Sequence, residues 1–184
     1  PPATELTSLR FLLMKEGHDL QSFHCCEDKQ AHRDSVVTRL MADNEWSFAS
    51  IVVDKRKVNP VLHRPEVFYP KFATPLLRFS LRGSVAPGTH NLVICTDTIP
   101  VAGKREGIIK VLKTTCAAEL PKAALRIYSH PRASNKWIQV ADYCCWAVQR
   151  KWESNDTRTY DTLKHRLKKP ELDLCAHGDQ TIYY

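Results

Sequence analysis

Three places in the chain set polar side chains where a strand should end or a helix begin. Asp97 follows the apolar run NLVICT, with Lys104 and Arg105 a short loop away. His130 and Ser134 lie between a strand-like segment and the strongest amphipathic pattern in the sequence, and Asp142 lies one to two turns inside that pattern. In α/β sheets reactive groups gather outside the strand ends, so residues 97, 130–134 and 142 can belong to one site. Two carboxylates converging in a cleft repel at neutral pH. A hard divalent cation, Mg²⁺ or Mn²⁺, relieves that repulsion and takes oxygen ligands. Such a centre activates water and stabilises a leaving oxygen in phosphodiester cleavage. On this expectation Asp97 and Asp142 hold metal, Lys104 faces phosphate, and His130 and Gln139 orient water or the carboxylates. Each residue also has a structural reading. Asp97 can cap a turn, His130 before Pro131 can be a turn residue, Lys104 can be surface charge, Asp142 a solvated boundary residue and His24 a buried, hydrogen-bonded histidine.

The helix that must carry Asp142 runs over 134–153, SNKWIQVADYCCWAVQRKWE. At about 100° per residue, Trp137, Ala141, Cys144, Cys145, Val148 and Trp152 share a side and predict the buried stripe, with Asp142 at its edge. Ser134 or Asn135 suits the N-cap, and Arg150 and Lys151 suit the negative C-terminal pole. Upstream, the pattern predicts a helix over 4–16 closed by Gly17, a short extended segment over 20–25 with His24 at its end, and a helix over 27–42 with Val36, Val37, Leu40 and Met41 inward. SFASIVVD (47–54) predicts a strand buried on both faces. Pro70 and Pro75 predict a bent or two-part helix over 65–83 ending at Gly83. Strands over 91–97 and 124–129 bracket a helix over 104–119, and a last helix covers 157–168. The alternation after residue 47 predicts an α/β layered domain. Three visible strands are few for a covered sheet.

At 184 residues the chain predicts a single domain over 1–184. No apolar run approaches a membrane span, and the first residues lack a signal-peptide apolar core. The net charge of +7 favours a polyanion partner such as nucleic acid, although KRK at 55–57 and KHRLKK at 164–169 also read as solvated faces. Seven cysteines, two vicinal pairs and no Cys-x-x-Cys argue for free thiols in a reducing, cytoplasmic setting and against a disulfide framework. Zinc is disfavoured, because the His24-Cys25-Cys26 cluster has no second pair of ligands. No phosphate-binding glycine loop, G-x-S-x-G or H-E-x-x-H occurs. The chain opens Pro-Pro without an initiator methionine, which predicts a processed, truncated or incompletely represented front.

FHCCED (23–28) with Arg33 downstream, the strand with DKRK (54–57), NLVICTD (91–97) before a Lys-Arg turn, and above all SHPRASNKWIQVADYCCWAVQRKWE (129–153) resemble the bacterial and phage domain of unknown function 3800 family. The resemblance covers most of the chain, from about Leu9 to Tyr184, and the last motif is its specific part. It implies a ribonuclease H-like fold, a mixed sheet flanked by helices, and metal-dependent nuclease action, often near phage-defence loci. His24, Asp28, Arg33, Asp97, His130, Ser134, Gln139 and Asp142 match polar positions of the family. Asp97 and Asp142 match its metal-binding carboxylates, and His24, Arg33, Ser134 and Gln139 are taken as substrate-binding. Members open with a strand ending in Asp-Glu-Ser-Gly, which this chain lacks. Ile138 also replaces a usual leucine, and Pro70 and Pro75 interrupt a helix that is commonly continuous. The alternative to a nuclease is therefore a non-catalytic module of the same fold, binding nucleic acid or a protein partner in a larger assembly. A third reading makes the adjacent thiols a redox or cysteine-based site.

Overall fold

Leu6, Leu9 and Leu13 recur at helical spacing near the front of the chain, and all three are buried on one face of α1 (Pro2–Lys15). The computed structural model describes residues 2–82, 85, 88–98, 105–177 and 181–183. α1 ends where the sequence predicts. Gly17 takes φ +87°, and the amides of Gly17 and His18 turn back to the carbonyls of Met14 and Leu13 at 3.1 and 3.0 Å. This paired closure needs a left-handed residue, which glycine supplies without a Cβ penalty. Residues 18–29 then run irregularly, with no strand over 20–25. α2 (Gln30–Ala42) starts three residues later than the expected Glu27, because residues 24–28 close a turn of their own, with the amides of Glu27 and Asp28 both donating to the His24 carbonyl. Val36, Val37 and Leu40 are buried as expected.

The expected strand over 47–54 shrinks to β1 (Ile51–Val52), half-buried and not covered on both faces. Asp54 ends it by accepting the Arg56 amide and opening a 3-10 turn over Lys55–Lys57. α3 (Pro65–Leu81) is one uninterrupted helix despite Pro70 and Pro75. Each proline strips a partner from the carbonyl four residues back. α3 buries no residue, and of the bent or two-part helix expected from the prolines the two-part form does not occur. Gly83, where this helix was expected to end, lies outside the described residues. The Lys169 ammonium binds the Phe79 carbonyl at 2.9 Å and that of Arg82 as well, closing the C-terminal end.

β2 (Asn91–Asp97) has the expected bounds, α4 (Arg105–Glu119) follows, and β3 (Ala124–His130) runs one residue further than expected. β2 and β3 pair. The Ala124 amide meets the His90 carbonyl at one end and the Ser129 hydroxyl reaches the Asp97 carbonyl at the other, so the two strands run parallel. Neither is buried on both faces: exposed and half-buried residues alternate along both strands, the period of a one-sided sheet. α5 (Lys136–Ser154) begins at Asn135, whose side chain accepts the Trp137 amide, and ends at Asn155 in the left-handed region. α6 (Arg158–Leu163) runs into a 3-10 turn over Lys164–Arg166. β4 (Leu172–Asp173), which the sequence did not signal, pairs in parallel with β1. The chain is thus mixed α/β, and among the described residues each sheet has two strands. No described helix is long and apolar enough to cross a membrane.

The packing divides the chain into two compact units. The first comprises Pro1–Phe48, Cys95–Thr98 and Ser129–Leu167; the second comprises Ala49–Ile94, Ile99–Tyr128 and Lys168–Tyr184. In the first, α1 packs on α2 and α5, and α6 on α5 and α2. Their shared core includes Leu6, Leu9, Phe23, Val36, Leu40, Tyr143, Ala147 and Leu163. Each fully buried leucine or phenylalanine there contributes about 1.5–3 kcal/mol. The core-facing stripe of α5 is not the predicted one. Ile138, Gln139, Val140, Tyr143, Cys144, Ala147 and Val148 are buried, whereas Trp137, Ala141, Cys145 and Trp152 are exposed. The helix is rotated because Tyr143 and Gln139 find buried partners for their polar ends, described below.

In the second unit α3 packs on α4, which buries Ile108, Leu112, Thr115 and Cys116. Arg82 binds Glu119 through two bonds of 2.8 and 2.9 Å, and Arg78 adds a third contact at 3.2 Å. The Arg82 hydrogen bonds hold Glu119 below the ordinary glutamate range, against a smaller opposing effect of burial. A carboxylate lowered on folding contributes stability above its unfolded pKa and loses it as pH falls through the lowered folded value. Glu119→Gln is therefore expected to lower the second unit's stability at neutral pH and to flatten its acid limb, so that variant and wild type converge as pH falls. Because the arginines are exposed, salt should weaken the effect. Acid titration followed by circular dichroism checks this, and an unchanged acid limb contradicts it.

Candidate functional site

The turn at residues 23–28 is held closed by groups from α5, and several of the predicted residues converge there. Asp142 sits one and a half turns into α5, on a flank between the buried stripe and solvent. Its Oδ2 accepts the His24 imidazole Nδ1 at 2.8 Å and the Cys25 amide at 2.9 Å. With 23 % of its side chain exposed it is half-buried and paired, not a solvated boundary residue. A carboxylate only accepts, so Nδ1 donates to it, and in the neutral imidazole Nε2 bears the lone pair. Nε2 lies 3.5 Å from Glu27, whose exposed side chain makes this a weak surface contact.

Asp28 closes the turn from the other side. Its Oδ2 accepts the His24 amide at 2.9 Å and the Tyr143 hydroxyl at 2.5 Å. Tyr143 is fully buried. Burial, reinforced by the Asp28 hydrogen bond, pushes its phenol well above the usual tyrosine range, so it acts as a neutral donor. Arg33 on α2 is tied to the same turn, donating from Nε to the Cys25 carbonyl at 2.7 Å. Its guanidinium lies over the Trp146 ring, 5.0 Å from the centroid, and Arg150 stands 5.9 Å from the same centroid. Asp142, Trp146 and Arg150 follow one another at four-residue spacing, one face of α5.

Gln139 has no exposed surface. Its carbonyl accepts the Phe23 amide at 3.3 Å and its amide donates to the Arg132 carbonyl at 3.0 Å. With both ends spent and no exposure it is a buried strut, which corrects the expectation that it touches substrate or water. Asp97 is exposed at the end of β2. Its Oδ1 accepts the Thr98 amide at 2.7 Å and the Arg132 amide at 3.1 Å, so it caps the turn that follows β3. Asp97 thereby connects to the His24 turn through Arg132, Gln139 and Phe23. Ser134 is exposed and donates to the Pro131 carbonyl at 2.8 Å. His130 is half-buried at the end of β3. Lys104 lies outside the described residues.

All seven cysteines are free thiols. Burial pushes Cys25 and Cys144 well above the ordinary thiol range, with Arg33 only partly opposing this at Cys25. Neither supplies a thiolate at neutral pH, which weighs against the cysteine-based reading at these positions. Among the described residues no group of three or more His, Cys, Asp or Glu side chains could hold a metal ion. Asp97 and Asp142 each have one oxygen taken by two N–H donors.

Cys25, Tyr143, Trp146 and Arg150 complete the site without having been expected in it, and Asp28, matched as a polar position of the family, had been given no role. The signal for Asp28 was present in the H-x-x-x-D spacing just ahead of α2, which suits a carboxylate folding back onto a turn amide. Comparison with known proteins found no matching family model, no matching curated protein and no matching solved structure.

Proposed function

We propose that the chain acts as a nucleic-acid phosphodiester hydrolase on a ribonuclease H-like scaffold, with His24 as its acid–base group. The observation that carries this reading is the His24–Asp142 bond, itself braced by the Cys25 amide. It fixes the tautomer and points a lone pair away from the carboxylate, as a general base requires. His24 Nε2 takes a proton from the attacking water while that water's oxygen bonds to phosphorus. The P–O bond to the leaving oxygen breaks, and the imidazolium returns its proton there. Arg33, fixed through the Cys25 carbonyl, offers a guanidinium to the phosphoryl oxygens.

The order β2, α4, β3, α5 with parallel strands supports the scaffold assignment, which the family resemblance suggested. A Mg²⁺ or Mn²⁺ centre on Asp97 and Asp142 finds no support in the donor set, and no step depends on one. A second reading, a non-catalytic module of the same fold, is favoured by one specific observation. Asp28 and Asp142 both serve as acceptors that hold the 23–28 turn shut.

The deciding experiment is cleavage of labelled RNA, DNA and hybrid strands in Mg²⁺, Mn²⁺ or EDTA, with wild type beside His24→Gln. Loss of a general base is expected to slow cleavage by about 10²–10⁴-fold. Survival in EDTA would place the chemistry on His24 without a metal, and dependence on Mn²⁺ would restore the carboxylate centre. No cleavage by wild type in any condition overturns the hydrolase, and retained salt-dependent binding then leaves the module.

A further inference from the structure

The charge of this chain is not shared between its two units. The first carries 12 Lys and Arg against 13 Asp and Glu, and the second carries 15 against 7, so the whole of the +7 excess lies in the second. Nucleic-acid affinity comes mainly from such an excess, through phosphate neutralisation and counterion release. The unit that bears His24 and Asp142 is therefore poorly suited to hold a polyanion by itself.

The second unit also contains a groove. Lys57, Lys71 and His177 line it with Leu62, Phe72 and Leu174, around a volume of about 280 Å³. None of its lining residues among the described residues is a carboxylate. Lys71 is exposed on α3, next to the half-buried Phe72. The combination is two ammonium groups and an imidazole above an aromatic and aliphatic floor. A phosphate alone would not use the floor, and an apolar ligand alone would not use the cations. A flat base joined to a phosphate uses both. At the small end of ligand-site volumes, the groove admits one unstacked base and excludes a duplex, whose bases are already stacked.

We propose that the second unit binds single-stranded nucleic acid, with one base against Phe72 and the neighbouring phosphates on Lys57 and Lys71. This rests on the nucleic-acid part of the function proposed above and names the surface that holds the strand. Base–aromatic stacking and a basic groove are the usual means of sequence-tolerant single-strand binding.

The test is fluorescence anisotropy with a labelled 12-nucleotide RNA and its DNA counterpart, over a range of salt, using the full chain. Lys71→Glu is expected to weaken binding about tenfold near physiological salt and to lower the salt slope by about one. Lys15→Glu, an exposed site in the first unit with the same charge change, does not line the groove and should stay within about twofold. Phe72→Leu keeps an apolar floor but removes the stacking face, and should weaken binding about tenfold. Equal weakening by Lys71→Glu and Lys15→Glu would show a net-charge effect and overturn the groove. So would binding indifferent to Lys71 and Phe72, or a duplex bound as tightly as a single strand. Cleavage by wild type and its loss in His24→Gln would stand in each of those cases. No binding of either strand, together with no cleavage, overturns both proposals.

Discussion

Asp28→Ala is expected to destabilise the first unit by about 3–5 kcal/mol, the largest loss of stability from any single polar substitution considered. Asp28 is 9 % exposed and its Oδ2 serves two donors, the His24 amide and the hydroxyl of the fully buried Tyr143. Alanine leaves both donors without an acceptor, and each stranded buried donor costs about 1–3 kcal/mol. The surroundings of Tyr143 are apolar, with Phe23, Val36 and Ala147 in the same cluster. Asp28→Asn retains an oxygen and should recover most of the loss. Tyr143→Phe removes one donor and leaves the His24 amide satisfied, so its cost should be nearer 1 kcal/mol. Tryptophan fluorescence isolates the answer, because Trp46, Trp137, Trp146 and Trp152 all lie in the first unit. A urea midpoint for Asp28→Ala that moves no further than that of Tyr143→Phe would show that the turn is not what holds α5 in place.

Features written in local sequence were legible. The α1 stop at Gly17 needed only a left-handed residue after an amphipathic run, and β2 was marked by an apolar run ended by Asp97. The orientation of α5 was not legible from periodicity. Its tryptophans weighted the stripe towards 137, 145 and 152, whereas Tyr143 and Gln139 turn inward because Asp28 and the Phe23 amide take their polar ends. Those partners lie 115 and 116 positions away in sequence, beyond the reach of a helical wheel. The same distance hid the site. His24 and Asp142 were both singled out, but as members of different sets, one for substrate and one for metal. Only folding places them 2.8 Å apart, across 118 positions. The short β1 failed for the opposite reason: its local pattern was strong, but its partner β4 offers two residues and Asp54 turns the chain away.

Asp142→Asn separates a catalytic carboxylate from a structural latch. The carboxylate accepts from both the Cys25 amide and the imidazole Nδ1. Both donors use the same oxygen, Oδ2, so an asparagine with its own oxygen in that place keeps both bonds, and the stability cost should be about 1 kcal/mol. The tautomer is then kept as well, and what is lost is the negative charge beside the ring. The imidazolium formed when Nε2 takes a proton is no longer stabilised by a facing carboxylate. Cleavage should therefore fall by about 10²–10⁴-fold with the fold intact. Asp142→Ala should behave differently. It frees both donors, opens the 23–28 turn and costs about 2–4 kcal/mol as well as activity. Asp142→Asn with full cleavage would assign Asp142 to holding the turn and the ring, with no part for its charge. Asp142→Asn with intact melting and lost cleavage would require that the charge on Asp142, and not merely its shape, takes part in the chemistry.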